Sequence, residues 1–192
     1  MNKSITLATL ALTLSVSTVA HSADTADTKA LMGEAAGVVK AFGGPLKQTL
    51  VGAMKSGGPA EAIGACNEKA PNIAKNAAQA TGWSVGRTSL KLRNPGNEAD
   101  AWEMKVLKQF DERKAAGEKP GAISYGEVVE MDGKKQYRFM KAIGTAELCL
   151  NCHGKTLKPE VAAKLDGLYP DDKARGYNVG DIRGAFTLVK DL

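Results

Sequence analysis

The chain from residue 28 onwards has hydrophobic positions that recur every three or four residues. The first run covers residues 28–42, and its apolar stripe is Leu31, Ala35, Val38, Val39 and Phe42. This period predicts an amphipathic helix. The Gly-Gly-Pro run at residues 43–45 is expected to interrupt the helix, with a further turn or two reaching Met54.

A second apolar stripe predicts a second helix that begins at Gly58-Pro59, because proline is tolerated at the first helical position. Its members are Ile63, Cys66, Ala70, Ile73 and Ala77. Pro71 is expected to kink this helix, since proline removes a backbone donor and crowds the carbonyl of Asn67. Cys66 is therefore expected on the inward face, one turn before the distortion.

The period changes in the middle of the chain. Residues 83–93 predict a strand, with a bulge near Arg87 where the alternation changes face. The Asn-Pro-Gly-Asn run at residues 94–97 predicts a type II turn. Asn97 is then expected to cap a third helix over residues 98–116. The apolar positions of that helix are Trp102, Val106 and Phe110.

Two alternating runs, residues 122–131 and 134–143, flank Asp132-Gly133, which is a strong signal for a two-residue hairpin. The remaining predicted elements are short helices from Pro159 and from Asp171, and a last strand over residues 184–189. Helices thus precede an antiparallel sheet that carries inserted helices. The predicted fold class is α+β.

The N-terminus predicts a secretory signal peptide over residues 1–22. Lys3 precedes a short apolar run, and small residues follow around His21, so a cut before Ala23 is expected. An uncleaved membrane anchor is the alternative, but the run is broken by Thr and Ser and is shorter than the roughly 20 apolar residues of a spanning helix. We therefore expect an exported, periplasmic protein with a single domain, residues 23–192, and no membrane span after cleavage.

Charge and aromatic content narrow the possible partners. The chain has 26 Lys and Arg against 21 Asp and Glu, and loss of Lys3 leaves a net charge of +4. The basic residues are scattered along the chain, and aromatic residues make up only 5% of it. A solvated surface explains these charges better than a nucleic-acid site does, so no nucleic-acid partner is expected.

The motif that carries chemistry is Cys149-Leu150-Asn151-Cys152-His153, a C-x-x-C-H sequence. This is the attachment signature of c-type haem. Two thiols at this spacing reach the two vinyl groups of one porphyrin, and the adjacent histidine is carried under the iron as the proximal ligand. One motif predicts one haem c, covalently bound through Cys149 and Cys152, with His153 as an iron ligand.

Other interpretations of the motif lack support. A thioredoxin-like C-x-x-C follows a strand in a βαβ pattern, and no such pattern is present. A zinc site of this type requires two further Cys or His ligands, and after export the chain offers only His153 and Cys66. Three cysteines in an oxidising compartment are also an odd number for a disulfide framework.

The second axial position of the iron has several candidates. His21 leaves with the signal peptide, so two histidine ligands from one chain are excluded. Cys66 could supply a thiolate, or it could be an ordinary small buried hydrophobe. The position could also be open to water or a gas. The remaining sulfur donors are Met32, Met54, Met104, Met131 and Met140.

The order of several short motifs resembles a known family. The chain resembles exported single-haem c proteins with a PAS-like fold, the Tll-type haem domain. The motifs that carry the resemblance are, in order, Ala62-x-x-x-Cys66, the Arg-Thr-Ser of residues 87–89, the Arg-Asn-Pro of residues 93–95 with Asn97, and the late C-x-x-C-H motif. That resemblance covers most of the chain from about residue 26. It implies a haem against a PAS-like antiparallel sheet, preceded by helices.

The resemblance also implies the iron ligands. In that family the iron is held by histidine and cysteine, which makes His153 the fifth ligand and Cys66 the sixth. Arg93 and Asn94 match a family motif near the cofactor and are candidates for contact with the haem propionates.

Together these observations predict a periplasmic monohaem c-type cytochrome. We expect a low-potential redox sensor or electron-transfer protein with an unknown redox partner protein. A haem-based gas sensor, in which a ligand such as nitric oxide displaces Cys66, is the alternative. An enzyme is not expected, because a peroxidase usually needs an open iron position and a distal histidine, and no second histidine survives export.

Overall fold

A computed structural model of the chain describes residues 20–131 and 133–192, with side chains from residue 27 onwards. Most of the predicted signal peptide lies outside the described residues, as does Asp132. Within the described part, no helix is both long enough and apolar enough to cross a bilayer.

The first element is a long helical segment, α1, from Ala20 to Thr81. Its one residue with non-helical backbone angles is Gly58 (φ 73°, ψ −165°), a region that favours glycine, so α1 consists of two helices that meet there. Pro59 then occupies the first position of the second helix, as the sequence predicts. Helical angles continue through Pro71, so the distortion expected there does not break the helix.

The interruption predicted at residues 43–45 is wrong. The helix passes through Gly43, Gly44 and Pro45 with helical angles. Gly43 is explained by packing instead, because a Cβ atom there would lie 2.9 Å from Cζ of Phe186 on the last strand. The Phe186 ring meets the Phe42 ring edge-on, with centroids 5.7 Å apart. Glycine at residue 43 therefore allows α1 to pack closely against the sheet.

The segment after α1 differs from the prediction in several details. Strand β1 is only Ser84–Thr88, and its regular pairing excludes the bulge expected at Arg87. Residues Pro95–Asn97 form a 3₁₀ turn rather than a type II turn. Helix α2 is Ala101–Ala115 and begins later than predicted. Its cap is Asp100 rather than Asn97, because Asp100 and Glu103 form a reciprocal capping box.

The predicted hairpin is confirmed. Strand β2, Ser124–Met131, pairs antiparallel with β3, Lys134–Gly144, and Met131 lies opposite Lys134. Strand β4, Ile182–Asp191, pairs antiparallel with both β3 and β1. The four-stranded antiparallel sheet has the order β1-β4-β3-β2. With its helices it confirms the α+β class, while the PAS-like description stays a prediction.

Each face of the sheet is covered by a different helix. One face packs on the first half of α1 through Ala35, Val38, Trp83, Tyr137, Phe139 and Leu188. The other face packs on α2, with a core that includes Val106, Leu107, Phe110, Ile123 and Met140. The second half of α1 returns on the first of these faces, where Ala77 packs with Phe42 and Leu46. Cys66 therefore lies on the α1 side of the sheet.

The connection between β3 and β4 contains the candidate chemistry. A 3₁₀ turn, Glu147–Cys149, leads into the short helix α3, Leu150–His153, and α4 follows as Pro159–Leu168. The helix predicted from Asp171 is absent. Residues 172–178 form an irregular segment whose backbone bonds go to other parts of the chain, with Lys173 N donating to Leu92 O and Tyr177 N donating to His153 O.

Candidate cofactor site

The C-x-x-C-H motif places its three functional side chains on one side of a helical turn. The last four residues of the motif form α3, and Cys149 caps it with helical angles. Residues separated by three and four positions share a helix face, so Cys152 and His153 each lie on the same side of the turn as Cys149. All three are half-buried, and the two thiols are free rather than joined in a disulfide.

The structure brings Cys66 next to this motif. Ile63, one turn before Cys66 on α1, packs with Val161 and Leu165 of α4, and Cys152 packs against the same cluster. Tyr169 at the end of α4 donates from its hydroxyl to Asn67 Oδ1 at 2.9 Å. Burial raises the pKa of the Cys152 thiol, and the neighbouring Cys66 contributes in the same direction. The apolar stripe of the Cys66 helix thus packs inward: Ile63 lies beside the motif, while Ala70, Ile73 and Ala77 pack with Phe42 and Leu46.

The methionines do not share this position. Met140 is fully buried in the core on the α2 side of the sheet. Met131 is 43% exposed at the hairpin end, and Met32 is 39% exposed on the first half of α1. Met104 belongs to α2, and Met54 precedes the break at Gly58. Cys66 is therefore the sulfur side chain outside the motif that the structure places against Cys152.

His153 is held in one tautomer by its neighbours. Its Nδ1 lies 2.7 Å from the carbonyl oxygen of Ala174, which can only accept a hydrogen bond, so Nδ1 carries the proton and Nε2 is the unprotonated nitrogen. Arg183 Nε lies 3.2 Å from Nδ1 and 3.4 Å from Nε2, and because Nδ1 carries the proton, Arg183 can donate only to Nε2. Burial, followed by the charges of Arg183 and Arg93, lowers the pKa of His153 to about 3. A neutral imidazole is the form that binds metals.

The segment that carries Ala174 also fixes the backbone of the motif. Tyr177 N donates to His153 O at 2.9 Å, and Gly176 N donates to Gly154 O at 3.1 Å. The Tyr177 ring meets the imidazole edge-on, with centroids 6.1 Å apart. The ring and the main chain of His153 are therefore both held by residues 174–177.

Arg93 and Asn94 both form hydrogen bonds within the protein. Arg93 pairs with both oxygens of Asp172 at 3.2 Å, and its Nη2 donates to the carbonyl oxygen of Cys152. The side chain of Asn94 accepts from Gly96 N at 2.9 Å and so caps the 3₁₀ turn. Both side chains have protein partners in the structure, and their contact with haem propionates stays a prediction.

Two further arginines leave the site with excess positive charge. Arg183 donates from Nη1 to Ser89 Oγ at 3.0 Å. Burial is the main cause that lowers its pKa, and the charges of Arg93 and Arg87 lower it further. Arg87 extends from β1 towards Cys66 and Tyr169. Its side chain is exposed to solvent, and the surrounding protein lowers its pKa. Within the described ranges, neither Arg87 nor Arg183 forms an ion pair with a carboxylate.

A cavity of about 600 Å³ opens beside the motif helix. This volume lies within the range of small-molecule pockets. Its walls come from the residues around the motif thiols and from the start of the Cys66 helix: Pro59, Glu147, Leu148, Leu150, Asn151, Thr156, Lys158 and Val161.

Several residues of the site were not found by sequence reasoning. Ala174 acts through its backbone carbonyl, which any residue type provides, and the roles of Asp172 and Arg183 depend on contacts between distant parts of the chain. Arg87 belongs to the Arg-Thr-Ser run that was used for the family resemblance, but no role was assigned to it. The structure adds all four to the site.

Fold and site define an α+β protein whose C-x-x-C-H helix and third cysteine meet on one side of an antiparallel sheet, beside two arginines that have no carboxylate partner among the described residues. The chain belongs to the Tll0287-like family. The family model, described as Tll0287, matches residues 8–189. This confirms the resemblance to the Tll-type domain.

A solved structure supports the same assignment. The crystal structure of the cyanobacterial heme-protein Tll0287 matches with a TM-score of 0.62 and 25% sequence identity. The match covers 84% of this chain and 95% of that one. None of the curated proteins matches the sequence.

Proposed function

We propose that this chain is a periplasmic haem-binding protein, a monohaem c-type cytochrome that acts as a low-potential redox sensor or electron-transfer protein. The observation that carries the proposal is the arrangement of two thiols and a neutral imidazole on one face of α3, with Cys66 opposite. Family membership and the match to a heme-protein add support.

The donor set fits a haem c. Cys149 and Cys152 would hold the porphyrin through thioether bonds. His153 would bind iron through Nε2, the nitrogen left unprotonated by the bond to Ala174, and Arg183, whose Nε lies 3.4 Å from Nε2, would have to move aside. Two arginines without carboxylate partners, Arg87 and Arg183, suit a cofactor that carries two propionates. When bound, the haem would supply a one-electron iron couple.

Cys66 is proposed as the sixth ligand. Burial raises the pKa of its thiol, against the opposing charge of Arg87, so the side chain alone stays protonated at neutral pH. A ferric ion beside the sulfur would reverse that preference, because coordination removes the proton. Thiolate donation stabilises ferric iron and lowers the potential, whereas methionine ligation raises it. This is the reason for the low-potential proposal.

Electron transfer or sensing suits this site better than catalysis. If Cys66 and His153 both held the iron, no site on the metal would remain for a substrate, and His153, the one histidine of the proposed mature chain, would be committed to the metal. Gas sensing by displacement of Cys66 is the second candidate. Cys66 lies in the helix that begins after the break at Gly58, and its side chain is only half-buried.

The test is a spectrum of protein purified from a host that matures c-type haem. We expect one haem that acid-acetone cannot extract, and a low-spin ferric signal with a sulfur-to-iron charge-transfer band. Cys149→Ala and Cys152→Ala should weaken or abolish the attachment. Extractable haem in the unmutated protein would reject the proposal.

A further inference from the structure

A buried ion pair joins the motif helix to the segment that orients His153. The carboxylate of Asp172 has no exposed surface, and Arg93 is only 14% exposed. Asp172 accepts four hydrogen bonds: from Arg93 Nε and Nη2 at 3.2 Å each, from Arg175 Nε at 3.0 Å, and from Ala174 N at 3.0 Å. Four donors match the acceptor capacity of an ionised carboxylate.

The bond to Ala174 connects this ion pair with the imidazole. Asp172 holds the N–H of Ala174, and the C=O of the same residue accepts from His153 Nδ1 at 2.7 Å. The position of the ion pair therefore sets the position of the acceptor that selects the histidine tautomer.

The other half of the ion pair holds the motif helix itself. Arg93 donates to the carbonyl oxygen of Cys152, one of the last carbonyls of α3, which have no partner inside the helix. A positive charge at this end is also favourable for the helix dipole. Lys173 N donates to Leu92 O at 2.7 Å, so the segments that carry Arg93 and Asp172 are also joined through their backbones.

We propose that Arg93 and Asp172 are positioning residues for His153, which fix the Nδ1–H bond to Ala174 and thereby the orientation and donor strength of the imidazole towards iron. This inference rests on the proposed haem function. Outer partners of a ligating histidine fix its ring and raise its basicity. Loss of the ion pair should therefore lengthen the Nδ1–H bond and weaken imidazole donation.

The experiment compares holoprotein variants with a matched control. Arg93→Lys keeps a positive charge beside Asp172 but loses the two-pronged contact and the bond to Cys152, and Asp172→Asn removes the carboxylate charge. The control is Arg113→Lys. Arg113 likewise pairs with a carboxylate through two nitrogens, Glu118 at 2.7 Å, and donates to a backbone carbonyl, Ser124 O at 2.9 Å.

Three measurements are made on each variant: the ferric electron paramagnetic resonance spectrum, the midpoint potential, and solvent exchange of the His153 Nδ1 proton by NMR. We expect Arg93→Lys and Asp172→Asn to shift the g values, raise the potential and speed up the exchange. Arg113→Lys should change thermal stability alone.

The inference is wrong if both site variants retain the wild-type g values, potential and exchange rate while their stability falls as in the control. Failure of the proposed function has a different signature, because it appears in the unmutated protein as the absence of covalent low-spin haem. If Asp172→Asn does not fold, the milder Arg93→Lys variant decides the question.

Discussion

Gly43→Ala tests whether close packing of α1 against Phe186 of β4 requires a glycine at residue 43. An added methyl would lie 2.9 Å from Cζ of Phe186 and 3.5 Å from Cε1 and Cε2, with the ring already packed against Phe42. Overpacking of this kind costs about 1–3 kcal/mol. Replacement of glycine by alanine inside a helix returns about 1 kcal/mol. The net expectation for Gly43→Ala is a loss of stability between zero and about 2 kcal/mol.

Gly44→Ala is the matched control, because nothing lies within 4 Å of the added methyl and the residue is exposed. It should stabilise the protein by roughly 0.5–1 kcal/mol. Urea denaturation of both variants gives the difference between them, which isolates the contact with Phe186. At this chain length, 1 kcal/mol corresponds to about 2–4 °C in Tm. If both variants are stabilised equally, the close contact between α1 and β4 is not what constrains Gly43.

The remaining predictions concern the site. Cys66→Ser should leave attachment through Cys149 and Cys152 intact, erase the charge-transfer band and raise the midpoint potential, whereas a cysteine that only packs in the core predicts an unchanged spectrum and a loss on the order of 1 kcal/mol. The ferric protein should react slowly with peroxide, and rapid peroxide turnover in a stopped-flow assay would favour an enzyme instead. Burial raises the pKa of Asp172, but hydrogen bonds from Arg93, Arg175 and Ala174 outweigh it and hold the pKa below its usual 3.8. The stability that this carboxylate contributes is therefore present above pH 3.8 and is lost as the pH falls through the lower pKa of the folded state. Acid unfolding followed by circular dichroism should accordingly flatten in Asp172→Asn but not in Asp166→Asn, a matched change at an exposed partner of Arg175.

Local patterns predicted those parts of the fold that local interactions determine. The Asp-Gly hairpin between β2 and β3 and the buried face of α2 follow from turn chemistry and from apolar spacing. The start of α2 was misassigned although Asp100 and Glu103 have the spacing of a capping box, a signal that the sequence does contain. Continuity of α1 past Gly43 could not be predicted in the same way, because it depends on Phe186, which lies more than 140 residues later in the chain.

The same division applies to the site. Cys149, Cys152 and His153 are adjacent in the chain, and a single helical turn brings them together, so the motif alone predicts them. Cys66 required the apolar stripe and the family resemblance. The supporting partners of His153 could not be predicted, because a carbonyl acceptor such as Ala174 has no residue signature and Asp172 reaches Arg93 across 79 positions of sequence.

The position of Cys66 opposite α3 has a consequence for maturation. His153 follows Cys66 by 87 positions, and the two belong to segments that meet mainly through the small cluster around Ile63 and Leu165. A metal bound by both would act as a cross-link that closes a long loop of the unfolded chain. Closing a loop of this length lowers the entropy of the unfolded state, which stabilises the folded state by about 4–5 kcal/mol when the bond is permanent. With such a cross-link, the polypeptide would gain much of its resistance to unfolding and to proteases only when the prosthetic group is installed.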